Sequence, residues 1–99
     1  MSRPSKANIL VVDDEAHSLI AMQQLLCGSD RNVVPVGSGK EALRQILRTE
    51  FALVLLDIRM PEMDGFETAT LIRKLKRSRH TPIIFLTAAV EDTQSISRG

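Results

Sequence analysis

Phe51-Ala52-Leu53-Val54-Leu55-Leu56-Asp57, followed at once by Ile58-Arg59-Met60-Pro61-Glu62-Met63-Asp64-Gly65, is the stretch on which the fold turns. Apolar residues run unbroken from Phe51 to Leu56 and end on one carboxylate. A run that short and that continuous reads as a central parallel strand, covered on both faces. Pro61 and the Asp64-Gly65 pair impose a loop before a helical pattern resumes. Open parallel sheets bind ligands just beyond the carboxyl ends of their strands, which places Asp57 where chemistry is expected. A turn or N-cap aspartate is the plain alternative, and this stretch by itself does not choose between them.

Toward the N-terminus, residues 1–6 read as a disordered leader, and Ala7-Asn8-Ile9-Leu10-Val11-Val12 as a first strand ending on Asp13-Asp14-Glu15. Those acids also suit the start of a helix, where negative charge meets the positive end of the dipole. Leu19, Ile20, Met22, Gln23, Leu25 and Leu26 give that helix an amphipathic pattern up to Gly28, a natural stop. Asn32-Val33-Val34-Pro35-Val36 is a second strand, and its proline assigns it to a sheet edge. Ser38 or Gly39 opens a second helix with Ala42, Leu43, Ile46 and Leu47 on its inner face.

After the central run, a third helix spans Gly65 or Phe66 to about Arg77 and faces inward through Phe66, Ala69, Ile72 and Leu75. Its basic end (Arg73, Lys74, Lys76, Arg77, Arg79) reads as a solvated face that complements the helix dipole. Thr81-Pro82-Ile83-Ile84-Phe85-Leu86 is a fourth strand that delivers Thr87, and residues 91–98 begin a further helix. The alternation of strands and helices with short connections argues for an α/β fold, a parallel sheet wound with helices on both faces.

Composition narrows the function. Ninety-nine residues make one domain, and a net charge of +1 provides no field to recruit nucleic acid or acidic lipid. With three Phe and no Trp or Tyr, the stacking platform of a single-strand binder is missing. Cys27 is alone, which leaves no internal disulfide; it is expected as a buried thiol in a reducing compartment. No apolar run approaches membrane-spanning length and no signal core opens the chain, so a cytoplasmic location is expected. His17 and His80 stand unaccompanied and read as surface residues.

Three strand ends then matter together: Asp13-Asp14, Asp57 and Thr87. If their strands are neighbours, all open on the same side of the sheet. Crowded carboxylates repel one another unless a cation holds them, and a set of hard oxygen donors suits Mg²⁺. An aspartate beside such a cation can attack phosphorus to give an aspartyl phosphate, with a hydroxyl such as Thr87 bonding a phosphoryl oxygen.

Val11-Val12-Asp13-Asp14-Glu15, Leu55 through Gly65, and Ile84-Phe85-Leu86-Thr87-Ala88 resemble the receiver domain of two-component response regulators. Gly37-Ser38-Gly39-Lys40-Glu41-Ala42-Leu43 is similar to that family's second loop and helix. The resemblance implies a flavodoxin-like doubly wound sheet with strands in the order 2-1-3-4, over residues 7–99. It implies Asp57 as phospho-acceptor from a histidine kinase or phosphotransfer protein. Asp13, Asp14, Asp57 and the backbone carbonyl of Arg59 would hold Mg²⁺. Thr87 would bond the phosphoryl group and Ala88 would leave it space. The side chains of Arg59 and Ala89 fall where the family tunes acyl-phosphate lifetime, and Pro61 and Gly65 would shape the loop. Such a domain signals; it is not an enzyme acting on a separate substrate.

A complete receiver has five strands and five helices, and the resemblance makes this sequence a truncated one, without the fifth strand, its lysine and the last helix. Impaired phosphorylation and switching are expected from that, with homo-association through the fourth strand or an uncovered sheet face. The competing reading is a non-phosphorylated protein–protein interaction module of the same fold. A hydrolase with an aspartyl intermediate lacks room for a cap and a general acid. A dinucleotide-binding fold is disfavoured because acids stand where phosphate-binding glycines would be.

Overall fold

The computed structural model describes residues 7–86. Its elements alternate as β1 (Ala7–Val12), α1 (Ala16–Leu26), β2 (Arg31–Val36), α2 (Gly39–Arg48), β3 (Leu53–Asp57), α3 (Gly65–Lys74), a 3-10 turn (Lys76–Ser78) and β4 (Ile83–Leu86). All strand pairs are parallel, in the order β2-β1-β3-β4, as the resemblance implied. Pro35 does lie in an edge strand, where a missing N–H is tolerated. The leader and everything from Thr87 onward, including the expected further helix, lie outside the described residues. No described helix is long and apolar enough to cross a membrane.

The two-residue period of the strands divides the core into two layers. Leu10, Val12, Val54 and Leu56 meet Ala42 and Ile46 of α2 and Ile72 of α3, with Val36, Phe51 and Met60 closing the cluster. Ile9, Val11 and Leu55 point the other way, toward Leu19, Met22 and Leu26 of α1. The first layer is the better sealed, and α1 contributes no fully buried residue. Its Ile20 and Leu25 stay exposed, so a single row of α1 contacts holds it to the sheet.

Capping explains where the helices begin. Ser38 Oγ accepts the Glu41 amide at 3.1 Å, and Asp64 Oδ1 accepts the Glu67 amide at 2.8 Å. Each has the spacing of a capping box, a Ser or Asp followed three residues later by Glu. Helix α1 has no such cap: it begins at Ala16, after the acids expected to open it, with Glu15 at the N-cap position. Asp13 instead accepts the Glu15 amide at 2.9 Å, which holds its carboxylate at the strand end.

Several expectations are corrected. Helix α1 ends when Cys27 turns extended (φ −62°, ψ 147°), and Gly28 is not left-handed. Cys27 is exposed, not buried, because it lies beyond the last residue that packs on the sheet. Leu47 and Phe66 point outward. Phe66 stacks obliquely on Phe85 with ring centroids 5.1 Å apart, an edge contact across α3 and β4. The central strand starts at Leu53 and the fourth at Ile83, both shorter than the apolar runs that announced them. Helix α3 stops at Lys74, and its basic end is partly structural: Arg73 donates to the carbonyls of Arg79 and Thr81, and Arg77 to that of Ile46. His17 and His80 are exposed, as expected.

Gly65 secures the return of the chain from β3 into α3. Its amide donates to the Ile58 carbonyl at 2.8 Å, and a Cβ there would overlap the Asp57 carbonyl oxygen and approach Ile58 Cα to 2.7 Å. Both obstacles are backbone and cannot swing aside. Gly65→Ala is therefore expected to cost about 1–3 kcal/mol, read as a lower urea midpoint with an unchanged slope.

Candidate functional site

Strand register brings the acids together. Val12 of β1 pairs with Leu56 of β3, so the next residues, Asp13 and Asp57, leave the sheet side by side. Both follow the alternation of Val11 and Leu55 and share one side of the sheet. One carboxylate oxygen from each of Asp13, Asp14 and Asp57 lies within 4.8 Å of the other two. Asp13 is buried, Asp57 is half-buried and Asp14 is exposed.

Burial and like charge act in the same direction. The Asp13 carboxyl is pushed above its ordinary value, first by desolvation, then by the charges of Asp14 and Glu15, against the opposing bond from the Glu15 amide. The Asp57 carboxyl is also raised, by desolvation first and the Asp13 charge next. The backbone N–H of Arg59 opposes that rise, with a smaller contribution from that of Ile58, which also donates to the Leu86 carbonyl at 3.4 Å. These two donors could not be read from residue letters, because they belong to the backbone of the loop. Ser18 is a further unforeseen neighbour: its hydroxyl donates to Glu15 Oε1 at 3.1 Å and lies beside the Asp13 carboxylate.

The loop over residues 58–64 frames the open side. Glu62 is its reversal point, left-handed at φ 70°, with the Met63 amide donating across it to the Pro61 carbonyl at 2.7 Å. A glutamate held there stores roughly 1–2 kcal/mol of strain. The reversal was expected from Pro61 and Asp64-Gly65; Pro61 instead precedes it, and Asp64 caps α3. Thr87, Ala88 and Ala89 lie outside the described residues, although Leu86 pairs in register with Asp57.

The donor set fits a hard divalent cation. All three groups are carboxylates, close enough to share one ion, and two have raised proton affinity. Such a cluster is unfavourable with every group ionised until positive charge enters it. Oxygen-only ligation matches Mg²⁺ better than zinc or copper.

Comparisons with known proteins agree with this architecture. The sequence model of the response regulator receiver domain matches residues 9–98. The transcriptional regulatory protein SrrA of Staphylococcus aureus is 36% identical over 88 residues, which cover 89% of this chain and 35% of that protein. The chain thus spans about a third of the length of the curated relatives it matches. The chemotaxis response regulator CheY4 of Vibrio cholerae superposes with a TM-score of 0.80 at 28% identity, covering 95% of this chain and 80% of that one. A receiver domain of the sensor histidine kinase PA1611 from Pseudomonas aeruginosa gives 0.79 at 28% identity, over 96% of this chain and 80% of that one. That structure has a magnesium ion coordinated in its active-site cleft.

The raised carboxyls carry a signed consequence for stability. A folded-state pKa above the unfolded value favours folding at low pH, and that benefit is lost as pH rises through the raised value. At neutral pH without divalent cations, Asp57→Asn removes one of the crowded charges while keeping an acceptor for the loop amides. Thermal unfolding should rise by a few degrees, on the order of 1 kcal/mol. The gain should shrink as the buffer is acidified into the carboxylate range; a loss of stability at neutral pH would contradict the electrostatic account.

Proposed function

The chain belongs to the response regulator receiver domain family, and on that premise we propose that Asp57 accepts a phosphoryl group from a histidine kinase or phosphotransfer protein. The observation that carries this reading is the meeting of Asp13, Asp14 and Asp57 within 4.8 Å at adjacent strand ends. Asp13, Asp14, Asp57 and the Arg59 carbonyl would hold Mg²⁺, which when bound neutralises charge on the phosphoryl oxygens.

The chain's own groups account for the rest of the transfer. An Asp57 carboxylate oxygen attacks phosphorus in line with the donor nitrogen; an O–P bond forms as the N–P bond breaks, and the leaving imidazole takes a proton. The Arg59 amide, with a smaller contribution from that of Ile58, orients the carboxylate. Thr87, directly after β4, is proposed to bond a phosphoryl oxygen, with Ala88 leaving room for the group. In this reading Asp57 attacks through a carboxylate oxygen that it does not lend to the cation, and Asp13 and Asp14 serve only as ligands.

The sequence is expected to report transfer by the mass of one phosphoryl group after incubation with acetyl phosphate and Mg²⁺. The adduct should be labile to hydroxylamine, absent in Asp57→Ala and absent with excess EDTA. Asp13→Asn should slow labelling roughly tenfold or more. Mg²⁺ at a hundred times its dissociation constant should stabilise the unphosphorylated protein by about 2.7 kcal/mol. No label on Asp57 alongside intact folding would favour the interaction-module reading.

The expected homo-association is a separate proposal. The outer edge of β4 has no strand partner among the described residues, and Ile84 and Phe85 are exposed there. Sedimentation should show mass rising with concentration; a constant monomer mass would remove that proposal and leave the phosphoryl-accepting reading intact.

A further inference from the structure

A close contact outside the acid cluster joins the start of α2 to α3 and to the loop of residues 58–64. Gly39, the first residue of α2, is buried against Thr68 and Met63. A Cβ at position 39 would overlap Thr68 Oγ1 and come within 2.9 Å of Met63 Sδ and 3.3 Å of Met63 Cγ. Thr68 is fully buried in α3, and its hydroxyl is already committed, donating to the Asp64 carbonyl at 2.8 Å. The Thr68 amide donates to the same carbonyl at 3.0 Å.

Asp64 and Met63 form the far end of the loop whose near end supplies the Ile58 and Arg59 amides to Asp57. The ends are tied by the bond from the Gly65 amide to the Ile58 carbonyl. A displacement of Thr68 or Met63 thus has a short covalent and hydrogen-bonded route to the Asp57 carboxylate. The reversal at Glu62, already strained, has little freedom to absorb it.

We infer that Gly39 is a positioning residue for the Asp57 site: the close approach of α2 to Thr68 and Met63 sets the loop that orients the Asp57 carboxylate and the Arg59 carbonyl. The inference rests on the phosphoryl-accepting reading above, and it adds a determinant on an element that contributes no group to the acid cluster. Gly39 touches neither cation nor phosphoryl group in it. Its effect passes entirely through Thr68, Met63 and the loop.

The test compares wild type, Gly39→Ala, Thr68→Ala and the double variant Gly39→Ala/Thr68→Ala. Gly39→Ala should weaken Mg²⁺ binding roughly tenfold, the scale seen when groups that orient metal ligands are disturbed. In metal-free protein the backbone amide resonances of Ile58 and Arg59 should move. Removing the Thr68 hydroxyl in the double variant relieves the tightest overlap and leaves only the flexible Met63 side chain to give way, which should return both the affinity and the resonances toward wild type. Thr68→Ala alone should shift them less than Gly39→Ala does. The inference is overturned if Gly39→Ala melts earlier yet keeps wild-type Mg²⁺ affinity and unmoved resonances, or if a folded double variant shows no recovery. The metal-free resonances judge the mechanical link even where wild type binds no Mg²⁺, an outcome that would instead sink the reading of the preceding subsection.

Discussion

The parallel pairing of β1 with β3 is the constraint from which the rest follows. Leu10, Val11 and Val12 are fully buried at the centre of the sheet, as are Val54 and Leu56 beside them. A one-residue slip in this pairing would exchange the two core layers, sending the partners of α1 toward α2 and α3. The same slip would separate Asp13 from Asp57, because both acids are carried one residue beyond the last paired position. Hydrophobic layering therefore sets the placement of the polar site as well as the fold. The carboxylates are held together against their own repulsion by apolar contacts on the strands beneath them.

That repulsion shapes the local chemistry of each helix start. Helices α2 and α3 use their Ser38 and Asp64 side chains to satisfy their own first turns. Helix α1 forgoes that help, since the available acid, Asp13, is turned to the strand end and anchored by the Glu15 amide. An uncapped helix with one row of half-buried contacts is the least secured of the three described α-helices, and it borders the acids. The helix with the fewest buried contacts is thus the one beside the concentrated charge.

Much of this was legible in the residues, and the limits have physical causes. Asp13 and Asp57 stood out because each ends an uninterrupted apolar run, and strand ends are where open sheets work. Pro35 revealed its edge position through its missing donor. Leu47 was less readable: it fits the same amphipathic stripe as Leu43, which does pack on the core, but it is on the outer margin of a short helix and stays in solvent. Cys27 was placed inside on residue type alone, and it falls beyond the packed length of α1. Thr68 gave no signal in the residue pattern; only the fold reveals that its hydroxyl is consumed by the Asp64 carbonyl and its flank by Gly39. Backbone donors such as the Ile58 and Arg59 amides have no signature in residue letters.

The β1–β3 ladder has a kinetic consequence. Its two strands are separated in sequence by α1, β2 and α2, so the central pair cannot close until the last residues of β3 are available. Loop closure over that span precedes any reward from the core, which makes the step slow relative to helix formation. During synthesis on a ribosome, β1 can pair with β2 before β3 emerges, but Asp13 and Asp14 wait for Asp57 until the end of β3. The three acids can therefore come together only when the central pair closes, late in the growth of the chain.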